Sequence, residues 1–88
     1  MNVVPAISMF FGIIIYMYAG DHVPPHFHAR YREFEAAFDL NGGMMKGNLP
    51  IKQQRIVSAW AQIHSEELLA NWTILQNKEQ PFRIDPLR

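Results

Sequence analysis

His26-Phe27-His28-Ala29-Arg30-Tyr31, Arg32-Glu33 and Phe34-Glu35-Ala36-Ala37-Phe38-Asp39-Leu40 form the stretch on which the fold turns. Side chains of a strand alternate between two faces. Folding the two runs against each other at Arg32-Glu33 sets Phe27 opposite Phe38, Ala29 opposite Ala36 and Tyr31 opposite Phe34, a wholly apolar face. The other face collects His26 with Asp39, His28 with Ala37 and Arg30 with Glu35. A slip of one residue would mix the two sets, so the pattern itself specifies the register. Arg32 is a poor residue where a tight turn needs positive φ, which favours a connection looser than two residues.

Outward from this hairpin, Asn41-Gly42-Gly43 signals a second turn that returns the chain through Met44 to Leu49, with Met45 opposite Phe38 on the core side, and Pro50 closes the sheet. From Ile51 the period becomes helical. Ile56, Val57, Trp60, Ile63, His64, Leu68, Trp72 and Leu75 recur at steps of mostly three and four, which predicts one helix, or two, from Ile51 to about Asn77. Ser65 can cap a second segment with Glu66 and Glu67 in its first turn, so a break near His64 is allowed. Trp60 and Trp72 read as core anchors. Upstream, Gly20-Asp21-His22-Val23-Pro24-Pro25 is a connector whose prolines forbid helix and ladder alike. The β-branched and aromatic run Ile13 to Tyr18 reads as the central strand, and Pro81 to Pro86 as a short extended piece at a sheet edge. The expected fold is α+β: a single domain, residues 1–88, with an antiparallel meander of three to four strands packed against one long, breakable C-terminal helix.

Composition narrows the function classes. The chain has 88 residues, 8 Lys+Arg against 8 Asp+Glu, and no cysteine. A chain of this size buries only about 60–65% of the surface it exposes unfolded, which leaves room for one core. Without cysteine there is no disulfide framework, thiolate metal site or cysteine nucleophile, and a reducing cytoplasm fits. Formal neutrality argues against a broad basic surface for duplex DNA. Met1 to Gly20 carry no side chain that is charged at neutral pH, yet lack the basic flank of a signal peptide and are interrupted by Pro5, Ser8 and Gly12, so neither secretion nor a membrane anchor is expected.

The chemistry concentrates where His22, His26 and His28 fall within seven residues. His26 and His28 project from one strand face about 6.5–7 Å apart along the backbone. With Asp39 opposite His26 and His22 arriving from the connector, they offer ligands to zinc or another divalent transition metal and leave a position for water. The same face holds the groups for metal-free RNA cleavage through the 2′-hydroxyl: His26 and His28 as base and acid, Arg30 on the phosphate, and Glu35. The plain alternatives are histidines that cap loop carbonyls and stack on Tyr or Pro, and an Arg30–Glu35 pair worth under about 1 kcal/mol. A third reading is a binding module without catalysis, which pairs with itself or accepts a partner strand along Met44 to Asn48. His64, among apolar helix residues, reads first as a partly buried histidine at the break, and otherwise as a group reaching the His22 connector. The His22, His26, His28 and Arg30 patch faces only Glu35 and Asp39, so it turns locally positive when its histidines protonate.

Phe10-Phe11-Gly12-Ile13, Met17-Tyr18, Asp21-His22-Val23-Pro24-Pro25-His26-Phe27-His28-Ala29, Leu49-Pro50, and Trp60 with His64, Glu67-Leu68 and Trp72 together resemble the DUF4160 family of small bacterial proteins. The resemblance covers nearly the whole chain, and the His22 to His28 run is its most specific part. It implies one half of a two-gene cassette of toxin–antitoxin type, the toxin in one reading, whose partner is the product of an adjacent gene of the DUF2442 family. Relatives often carry a small turn residue where this chain has Arg32 and a basic residue where it has Tyr16.

Overall fold

A computed structural model describes residues 6–88; residues 1–5, which begin the uncharged stretch, lie outside the described residues. Five strands form one antiparallel sheet in sequential order: β1 (Ala6–Phe10), β2 (Ile13–Tyr16), β3 (His26–Tyr31), β4 (Phe34–Asp39) and β5 (Met44–Asn48). Helices α1 (Ile51–Ile63) and α2 (Ser65–Gln76) follow. The α+β class stands as the sequence implied, but the strand count and the single long helix do not.

The additional strand is β1, which folds onto β2 through Phe11 and Gly12, both at positive φ. A bulky residue such as Phe11 seldom takes that conformation, so the turn hid inside an apolar run. Its presence moves the centre of the sheet. The segment expected to be central ends at Tyr16 and lies second, and β3 holds the middle.

The β3–β4 register is the one that side-chain alternation dictates, from His26 opposite Asp39 to Tyr31 opposite Phe34. Its turn is tight. Arg32 takes φ 56° and sets its guanidinium 5.0 Å from the Tyr31 ring centroid, so the looser connection is not formed. At β4–β5, a bulge places Met44 rather than Met45 opposite Phe38, and Met45 is half exposed. The extra residue turns Met45 out of the core.

The inner face buries Ile13, Ile15, Phe27, Ala29, Ala36 and Phe38 under the helices. Phe27 stacks on Phe38 at 5.4 Å, and Trp60 of α1 meets Phe27 at 5.8 Å and Phe10 at 5.2 Å. Burial of side chains this size stabilises by about 1.5–3 kcal/mol each. Trp60 and Trp72 are core residues, and Leu68 and Leu75 carry the buried stripe along α2. The helix breaks at His64, whose backbone (φ −111°, ψ 24°) leaves the helical range, and Ser65 is the first residue of α2 rather than its cap.

The tail forms no strand. It is tied to both helices and to β1: by a reciprocal pair of hydrogen bonds between the Asn71 amide and the Phe82 backbone, by the Trp60 indole N–H donating to the Asp85 carbonyl, and by the Ile84 N–H donating to the Ile7 carbonyl. Asn71 is fully buried and both halves of its amide are used, which is why a polar residue stands in the apolar stripe of α2. Among the described residues, no helix is long and apolar enough to cross a membrane.

Gly47 of β5 lies hard against β4, opposite Ala36. At φ +90°, an added Cβ would lie 2.4 Å from the Glu35 carbonyl oxygen and 2.7 Å from the Ala36 Cα. Gly47→Ala is therefore expected to destabilise by about 2 kcal/mol or more. Thermal unfolding should show Tm lowered by about 8–16 °C. An unchanged Tm would contradict the β4–β5 packing described.

Candidate functional site

Strand β3 cannot bury Phe27 and Ala29 without turning His26 and His28 to the opposite face. The connector before it then brings back Asp21, and the three side chains converge. Both imidazole Nε2 atoms lie 3.0 Å from the same oxygen, Asp21 Oδ2. One nitrogen from each ring and one carboxylate oxygen all sit within 4.8 Å of one another. The side chains are largely sheltered: His26 is 12% exposed, and His28 and Asp21 18% each.

The rings are held in place. His26 packs against Trp72 at 5.5 Å, and its Nδ1 lies 2.8 Å from the Pro24 carbonyl. A carbonyl only accepts, so Nδ1 carries the proton, and in the neutral ring Nε2 offers its lone pair toward Asp21. His28 stacks on Tyr16 at 5.2 Å and meets the edge of Tyr18 at 4.9 Å. The connector is tied to α2, where the Gln76 side-chain amide donates to the Asp21 carbonyl.

Burial raises the Asp21 carboxyl pKa. The His28 hydrogen bond, the charge on His26, the His22 backbone N–H and the charge on His28 together outweigh it, and the carboxyl is held below its ordinary value of 3.8.

The other residues singled out in the sequence lie apart from this cluster. His22 is exposed, and its backbone N–H, not its ring, reaches Asp21. Asp39 does face His26 in register, but its Oδ1 accepts from the Asn41 and Gly43 backbone amides at 2.8 and 3.0 Å, which shapes the turn into β5. Arg30 and Glu35 are partners one row along the sheet, and the Tyr16 hydroxyl donates to Glu35 Oε2. His64 pairs with Glu67, one helical turn on, rather than with the connector. Asp21 is the residue that sequence reasoning passed over. Its signal was present in the Asp-x4-His-x-His spacing, but a connector residue has no register from which to place it.

The pattern of one protein family runs through these elements: the domain of unknown function DUF4160 matches residues 12–73, from the β1–β2 turn to α2. The chain belongs to the DUF4160 family. The match takes in Asp21, His26 and His28 together with Trp60 and Trp72. Comparison with curated proteins and with solved structures returned no match.

A carboxyl with a lowered pKa adds stability that is fully present above its unfolded value and is lost as pH falls through the folded one. For chelator-treated protein, Asp21→Asn should therefore destabilise at neutral pH and flatten the loss of stability below about pH 4. Urea unfolding at a series of pH values reads both. Parallel curves for the two proteins would contradict the placement of Asp21 against the histidines.

Proposed function

We propose that this domain binds one divalent first-row transition ion, zinc in the first instance, through Asp21, His26 and His28. Held there, the ion would supply a Lewis acid with open positions for water, the chemistry that metal-assisted hydrolysis needs. The observation that carries this reading is the convergence of two imidazole nitrogens on one carboxylate oxygen, with the far nitrogen of His26 fixed by a backbone carbonyl. Metal-bound histidines are oriented by such outer hydrogen bonds. Ligand atoms at 2.0–2.1 Å from a tetrahedral ion stand about 3.3 Å apart, within a few tenths of an ångström of the contacts to Asp21.

A bound ion would make ligands of both the His26 Nε2 lone pair and the Asp21 carboxylate, which face each other at 3.0 Å. Three protein ligands leave room for water, whose pKa a zinc ion lowers toward about 7. For metal-free RNA cleavage, His26 and His28 would have to exchange protons with a substrate. Their Nε2 atoms instead share Asp21, which favours the metal reading over a catalytic quartet of His26, His28, Arg30 and Glu35.

A second reading concerns partners. Strand β5 closes one edge of the sheet and is exposed along its whole length, with Met44 and Met45 partly in solvent. An open edge with apolar side chains suits strand addition by another protein, such as the product of an adjacent gene in a toxin–antitoxin-type cassette. Co-expression should then yield a complex that Met44→Glu with Met45→Glu disrupts. Separate elution of the two products would count against it.

For the metal centre, protein purified without chelator or affinity tag should carry close to one ion per chain by elemental analysis. Asp21→Ala, His26→Ala and His28→Ala should each weaken zinc binding by about 100-fold or more, beyond the effect of losing an outer-shell partner. His22→Ala and Asp39→Ala should leave the metal content unchanged. Zinc at about 100 times its Kd adds about 2.7 kcal/mol, which raises Tm by about 10–20 °C. A chain that folds without metal and shows no Tm response to zinc would overturn the reading.

A further inference from the structure

On the outer face of the sheet, one row of paired residues runs Tyr16, His28, Ala37, Lys46. Three of the four side chains are long. Ala37 is not, and its methyl group leaves a recess of about 350 Å3 between His28 and Lys46, walled also by Tyr18 and Glu35 and floored by the Ala36 and Gly47 backbones. Lys46 lies two strands from His28, about 9.5–10 Å across the backbone. A lysine side chain spans much of that distance.

We infer that this recess is the substrate subsite of the proposed metal centre, and that it takes a small molecule bearing an oxyanion, a phosphoryl or carboxylate group. The inference rests on the metal reading above, because His28 is both a ligand of the ion and one wall of the recess. An oxyanion placed here has His28, a ligand of the proposed ion, on one side and Lys46 on the other. Among the described residues, Lys46 forms no ion pair, so its charge remains available to a ligand. Glu35 is the one acidic group in the recess; it accepts from the Tyr16 hydroxyl and has Arg30 as its register partner, and it offers an acceptor to a hydroxyl or amine next to the ligand's anionic group. The volume lies at the small end of ligand pockets, which suits a metabolite-sized molecule.

The test uses the zinc-loaded full chain, with inorganic phosphate and, in parallel, acetate as probes, followed by calorimetric titration. Metal content and thermal unfolding are read on the same samples. Saturable binding of either probe is expected, and which of them binds tells phosphoryl from carboxylate recognition. Lys46→Gln should weaken that binding about tenfold, the scale of one lost charge-assisted hydrogen bond. Ala37→Leu, which fills the recess from an outward-facing strand position, should abolish it, and both variants should keep their zinc. Zinc bound normally, with neither probe binding or with binding indifferent to both substitutions, overturns the recess and leaves the metal centre standing. Failure to bind zinc at all overturns both.

Discussion

A six-residue strand buried on one face has no freedom over what it presents on the other. Strand β3 sits at the middle of five strands, and Phe27 and Ala29 must point under the helices to close the core around Phe38 and Trp60. His26 and His28 are thereby fixed side by side on the far face, at a spacing set by the pleat. The remaining features of the site follow from that placement. Trp72 and Tyr16 hold the two rings, the prolines bring the connector back past them, and Asp21 arrives where both Nε2 atoms already point.

What the sequence made legible was governed by periodicity. The β3–β4 hairpin and the change to helical spacing at Ile51 follow from alternation and from three- and four-residue steps, a pattern that allows the helix with or without its break at His64. What it hid was governed by single residues in conformations that their type disfavours. Phe11 and Arg32 both sit at positive φ, so residue type alone signals neither the β1–β2 hairpin nor the tight turn between β3 and β4. The bulge that turned Met45 outward leaves no trace in composition. The candidate site was legible in its strand half only. His26 and His28 pair on one face by alternation, whereas Asp39, the register partner of His26, commits its carboxylate to the amides of Asn41 and Gly43.

Membership of the DUF4160 family places these elements in a recurring pattern, and the part of the chain it spans contains all three converging side chains. The formal charge of zero reads differently against the structure. It averages an uncharged N-terminal stretch with a sheet face on which Arg30, Lys46 and the histidines meet Glu35.

The proposed metal centre makes Asp21, His26 and His28 ligands to one ion. X-ray absorption at the zinc edge of the loaded protein tests it most directly. The account predicts two imidazole nitrogens at about 2.0–2.1 Å, with the ring scattering that marks histidine, and oxygen ligands at about 2.0–2.2 Å. A spectrum without imidazole scattering, like that of the hydrated ion, would contradict it.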